Sequence, residues 1–189
     1  MCRRLQKDYQ QMWAKPVLIF ISTLFFISTD STKQNIRTMY AKSVESKQTA
    51  QNLLAVLEKQ EQSAFVIGYA GATKMVLAKH VFNPFTKLNY FNTGKRMLNK
   101  AIAKDNNNVE LVFLRYATQV SAPSILGYNS DIDADKKQIL KGLNNNKLDE
   151  ALSKTIISFM IRQELTPEEK QQLTGLANDR RSNFSRHGR

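Results

Sequence analysis

A single cysteine, Cys2, stands in a chain of 189 residues. One thiol near an end closes no disulfide within the chain and builds no cysteine-based metal site. Histidine is almost as scarce, with only His80 and His187, so a histidine-rich catalytic or zinc cluster is excluded by counting. Signatures that need a fixed local spacing are missing too: there is no glycine-rich phosphate loop, no GxSxG elbow and no HExxH pair. No stretch alternates apolar and polar residues with the period of two that a half-buried strand requires. These absences lead to the expectation of an all-α protein that is not an enzyme, with no cofactor and no metal.

Hydrophobic residues make up 42% of the chain, enough for one globular domain with a sizeable core. Lysine and arginine number 28 against 16 acids, a formal charge of +12. Half of the excess is terminal. Residues 1–15 carry +3 through Arg3, Arg4, Lys7 and Lys15 against Asp8, and the stretch from Asp179 carries +3 through Arg180, Arg181, Arg186 and Arg189. Such a balance permits binding to nucleic acid or anionic lipid without demanding either.

Val17 to Ile27 reads VLIFISTLFFI behind the basic Lys15. Spanning a bilayer takes about 20 apolar residues, so this run has the length of a signal-peptide core. Met12 gives an ordinary signal start, which makes residues 1–11 read as an extension upstream of the initiator. No A-x-A site follows. Thr29 and Ser31 are the nearest small pair, and a cut after Ser31 is expected; the alternative is an uncleaved anchor over residues 16–28. In both cases the folded part is expected outside the cytoplasm, periplasmic or secreted. The expected organisation is a signal peptide or anchor over 1–31, a helical domain over 32–178 and a basic disordered tail over 179–189.

The body has helical period. Ala50, Leu53, Leu54 and Leu57 form a stripe, predicting a helix over about 42–60. Ala64–His80 is apolar nearly all round, with Gly68, Gly71 and Ala72 on one side where a second helix can approach closely. Pro84 breaks the pattern within VFNPFTKL. Tyr90, Gly94, Met97, Leu98 and Ala101 then share one helical face, ended by Asn106-Asn107-Asn108, which also caps an apolar helix over Val109–Val120. Ser121–Ser130 is a loop, and Ser130 with Asp133 has capping-box spacing, opening a helix to about Leu143 that Asn144-Asn145-Asn146 ends. Leu148, Ala151, Leu152, Ile156 and Phe159 mark the next helix. Thr166-Pro167-Glu168-Glu169 is a strong start signal for a last helix ending near Ala177. About seven helices in antiparallel pairs are expected.

Gly94-x-x-x-Leu98-x-x-Ala101-Ile102-x-x-Asp105-Asn106-Asn107-Asn108 resembles the second helix of a tetratricopeptide repeat, with Asn106 where that family places proline. No second repeat at the family's period is visible, so the resemblance implies an irregular tetratricopeptide-like hairpin domain that binds a protein or peptide in a groove. The chain is also similar to small secreted or periplasmic helical proteins of Bacteroidota. The similarity lies in AKH-x-x-NP-F-x-K-L-x-Y-F-x-x-GK, from Ala78 to Lys95, and FLR-x-x-x-Q-x-x-AP-x-x-LGY, from Phe113 to Tyr128. It implies fold and compartment, and implies no activity.

Four features are candidates for function. The first is a polar set of Lys79, His80, Asn83, Lys87, Lys95, Glu110, Arg115, Gln119 and Tyr128. Arg115 lies within LVFLRYA, so its stem is expected to be buried, and a buried guanidinium needs partners. Glu110, Gln119 and Tyr128 are at hand. The set reads either as an anion- or peptide-carboxylate pocket built on Arg115, His80 and Lys95 or, as favoured here, as a structural network. The second is Asp131-x-Asp133-x-Asp135, which opens like an EF-hand loop, but Lys136 and Gly142 stand where glycine and glutamate are required; these acids read as dipole partners of a helix start. The third is the basic stripe Arg96, Lys100 and Lys104, a solvated face or a contact for anionic polymer or membrane surface. The fourth is the basic RRSNFSRHGR end, whose alternative role is an electrostatic tether. An enzyme using His80 is a further alternative, but no orienting carboxylate lies within a helical turn of it. The expected partner is a protein or peptide; nucleic acid is not, since no aromatic interleaves the stripe, and the membrane is reached only through an uncleaved N-terminal segment.

Overall fold

The structure, a computed structural model, describes residues 31–145 and 148–187, the last eight by their backbone alone. Met12 and the apolar run Val17–Ile27, with the targeting role expected of them, lie outside the described residues, as does Asn146. The described residues are all-helical, with eight α-helices and no strand. They are α1 (residues 31–43), α2 (Lys47–Glu58), α3 (Ala64–Lys79), α4 (Pro84–Lys104), α5 (Val109–Ser121), α6 (Ile132–Asn144), α7 (Glu150–Met160) and α8 (Pro167–His187), with a 3-10 turn at Ser124–Leu126.

The chain divides into two compact units, Met1–Leu53 and Leu54–Arg189. In the first, α1 is the helix beyond the expected seven. The helix expected over 42–60 is broken at residues 44–46, because Ser46 caps a new start: its Oγ accepts from the Thr49 N–H at 3.2 Å.

In the second unit α3 is buried on almost its whole circumference, 12 of its 16 residues being inaccessible. Its glycines explain how. A Cβ on Gly71 would stand 2.7 Å from the Gly94 carbonyl oxygen and 2.8 Å from the Leu98 nitrogen, so α3 and α4 cross backbone to backbone. Gly68 faces Leu111 and Ala101, which admits α5 on the adjoining side. The buried face of α4 is Phe91, Gly94, Leu98 and Ala101. A second core joins α5 to α8 around Val112, Tyr116, Ile139, Leu143, Ile156, Met160 and Leu173.

Caps set most of the joints. Pro84 follows the break between α3 and α4 and starts α4: Asn83 Oδ1 accepts from the Thr86 N–H at 3.0 Å, and a proline ring suits the first turn because no N–H is needed there. Asn108 caps α5 and Asp149 caps α7 in the same way. Thr166 and Glu169 form a reciprocal capping box at 2.9 and 3.2 Å. The box expected at Ser130 and Asp133 is not made; Asp131 occupies the cap position and Ser130 Oγ donates to its carboxylate. The helix end expected near Ala177 is corrected: the α8 backbone runs on to His187.

Candidate functional site

The polar residues singled out by sequence separate into a clamp, a second pair and a corner. In the clamp, Arg115 of α5 donates from Nε to Asp135 Oδ2 at 2.8 Å and from Nη2 to Asp135 Oδ1 at 2.6 Å. One turn on, Gln119 Nε2 donates to the same Asp135 Oδ2 at 3.1 Å, and Gln119 Oε1 accepts from the Asp131 N–H at 3.1 Å. Asp131 Oδ1 lies 3.8 Å from Arg115 Nη1. The hydrogen bond to Asp135 raises the Arg115 pKa above its ordinary value. Burial pushes the Asp135 carboxyl up, against the pull of that same guanidinium. The two directions oppose one another, since one favours the charged form and the other the neutral form. The short bidentate fork is the geometry of an ionised pair, and ionised is how we describe it.

This clamp fastens α5 to the first turn of α6 and closes the intervening loop. Both Asp135 oxygens and both ends of the Gln119 amide are engaged within it. It therefore offers an incoming anion little beyond Arg115 Nη1, which already faces Asp131. Glu110, an expected partner of Arg115, instead accepts from the Tyr69 hydroxyl at 2.6 Å, far along α5. Asp131 and Asp135, read from sequence only as helix-dipole acids, are the partners the sequence reading missed. A signal for them existed. Arg115 and Gln119 are spaced by four, as are Asp131 and Asp135, and two such pairs on consecutive antiparallel helices can meet face to face.

Tyr128 covers the clamp's flank. Its ring meets Phe91 edge-on at 5.5 Å, and Lys95 Nζ lies 4.8 Å from the ring centroid. The buried Tyr128 hydroxyl makes no hydrogen bond within the described residues, and burial pushes the phenol up to about 12.

His80, Asn83 and Lys87 lie apart from the clamp, at the corner joining α3 to α4. His80 caps α3 and Asn83 caps α4. The large side chains between and beside them are bare: Phe82 is 102% exposed, Phe85 82% and Leu88 48%. The 3-10 turn carries Ile125, 91% exposed, and Tyr128 three residues on holds that turn against Phe91 and Lys95. Because α3, α4 and α5 run antiparallel through short connections, Ile125 lies at the same end of this unit as the corner.

The hairpin of α3 and α4 carries charge of one sign. Residues 62–104 hold seven lysines and arginines and no acid. Among the described residues none of these seven forms a salt bridge. The stripe residues are not equivalent: Arg96 donates to Thr93 Oγ1 at 3.3 Å and Lys104 to the Gln62 carbonyl at 3.0 Å, while Lys100 is exposed. A shallow, open depression between α5 and α7, lined by Phe113, Thr155, Phe159 and Arg162, shields no group from water. No helix among the described residues is long and apolar enough to cross a membrane, and no cluster of three or more His, Cys, Asp or Glu there is placed to hold a metal. No protein-family model, curated protein or solved structure matches the chain.

Proposed function

We propose that this chain is an exported, non-enzymatic docking module of the cell envelope that engages its partner through the corner between α3 and α4. The observation that carries the reading is the near-complete exposure of Phe82 and Phe85 in that corner. Covering each phenyl is worth about 1.5–3 kcal/mol, and exposed apolar clusters mark interaction sites. The self-satisfied clamp at Arg115 supports a structural rather than ligand-binding role for that network, and so counts against a peptide groove built on it. Export is supported by the apolar run Val17–Ile27 behind Lys15. The tetratricopeptide-like reading is supported by Gly94, Leu98 and Ala101 sharing the buried face of α4.

A photoreactive benzoylphenylalanine in place of Phe85 tests this in the full chain within native envelope. Irradiation should join position 85 to an envelope component, while the same probe at the exposed Lys137 of α6 should stay free. Adducts from position 137 and none from 85 would put the contact surface elsewhere.

A further inference from the structure

We infer that the component docked at this corner is an anionic lipid interface, with Phe82, Phe85 and Leu88 entering the headgroup–acyl boundary and Lys79 and Lys87 at the phosphates. This rests on the corner being the docking surface. Three features of the corner select lipid over a protein groove.

The first is charge. Seven bases without one acid lie over residues 62–104, whereas residues 105–179 hold eleven acids against eight bases. Within residues 62–179 the excess of positive charge therefore lies on the hairpin that carries the bare phenyls, with Lys79 and Lys87 exposed beside them. The second is form. The phenyls stand on the turn between two antiparallel helices, and Lys79 and Lys87 flank them on exposed positions. A projecting tip of this kind can dip into an interface without any helix spanning it, and lysine stems can lie along the apolar layer while their ammonium groups reach phosphate. Ile125 adds a fourth apolar side chain at the same end.

The third is backbone satisfaction. Entry into a poorly hydrated layer penalises unpaired N–H groups. At this corner the His80 N–H donates to Leu77 O, the Thr86 N–H to Asn83 Oδ1 and the Lys87 N–H to Asn83 O. Pro84 brings no N–H at all. The N–H groups of Val81, Phe82, Asn83 and Phe85 make no such bond among the described residues, so the tip suits the hydrated headgroup–acyl boundary and not the dry acyl core.

The test reads the corner itself, because the apolar run Val17–Ile27 could carry the full chain to vesicles without it. A nitroxide is attached at Phe85→Cys in a full-length Cys2→Ser background, with circular dichroism confirming the helical fold. Vesicles of phosphatidylcholine alone are compared with an equimolar phosphatidylcholine–phosphatidylglycerol mixture. On the mixed vesicles the label should gain collisions with dissolved oxygen and lose them with a water-soluble nickel chelate. A label at Lys137→Cys should show no such change. Lys79→Gln and Lys87→Gln should each lower the buried-to-free ratio about fivefold. A label at 85 that stays water-accessible, or that is buried equally without phosphatidylglycerol, overturns the inference. If position 85 crosslinks to an envelope protein while its label stays wet, docking stands and lipid is wrong; if it crosslinks to nothing and stays wet, both fail.

Discussion

At Tyr128 a polar atom is held where nothing among the described residues receives it, and the consequence can be measured. The hydroxyl is buried without a hydrogen bond, and burial lifts the phenol to about 12. Because the folded pKa exceeds the unfolded value of about 10, both states are neutral below pH 10 and Tyr128 imposes no pH dependence there. Between about pH 10 and 12 the unfolded chain ionises first, so stability falls as pH rises, by on the order of 2–3 kcal/mol in all. Tyr128→Phe should remove that decline and, by deleting an unpaired hydroxyl, leave neutral-pH stability unchanged or higher by about 1 kcal/mol. Urea midpoints of both proteins across this range decide it; a loss of more than that at pH 7 would show that the hydroxyl has a partner. Arg115→Ala is the opposite case. It leaves Asp135, 1% exposed, with only the Gln119 amide, and should cost about 3 kcal/mol. Equal stability in urea would dismantle the structural account of the clamp. The burial of Arg115 was legible from LVFLRYA. Its partner was harder to read, because Glu110 is nearer in sequence and Asp135 is signalled only by the spacing by four that Arg115 and Gln119 share with Asp131 and Asp135.

The α3–α4 pair stands on two glycines, and here opposing effects must be weighed. Gly71→Ala gains about 1 kcal/mol of helix propensity. The new methyl, however, meets main-chain atoms at 2.7 and 2.8 Å, which cannot rotate away as a side chain could. The helices must separate, and overpacking of this kind costs about 1–3 kcal/mol, so a net loss is expected. Gly94 faces the same crossing, against Gly71 and Met75. Gly71→Ala with Gly94→Ala should therefore cost less than the two single losses combined, since one separation accommodates both methyls. Additive losses in denaturant titrations would mean that the two sites do not share a crossing. At this scale the sequence was readable at Thr166 with Glu169, at Asn108 and at Gly71, where a cap or a close approach is marked by the residue itself, but not at Ser46 or Ser130. One residue can also serve two purposes: Pro84 marks the break after α3, and its fixed φ starts α4 once Asn83 supplies the cap. For α8 the apolar stripe fades after Ala177, but no glycine or proline stands between there and His187 to stop the backbone.

Between residues 62 and 179 the excess of positive charge lies on one hairpin, and that has a cost apart from any partner. The seven bases of residues 62–104 have no salt-bridge partner among the described residues. Their mutual repulsion is therefore relieved chiefly by solvent and salt. Arg115 and Asp135, by contrast, are bonded through short charge-assisted contacts in a partly buried setting, where ions screen weakly. Added sodium chloride should consequently stabilise this protein, by about 1 kcal/mol on passing from low to moderate ionic strength, because it screens repulsion between exposed like charges more than it weakens the buried pair. The same salt should weaken attachment of the corner to anionic vesicles, so folding and docking respond to it with opposite sign. Lys100→Gln, on the exposed face of α4 and away from the corner, should raise stability at low salt and reduce the salt response, since it removes one repelling charge. Unfolding midpoints for the native chain and this variant at the two salt levels make the comparison. A midpoint that falls with salt would mean that favourable surface pairs, and not the crowded bases, dominate the electrostatics of the fold.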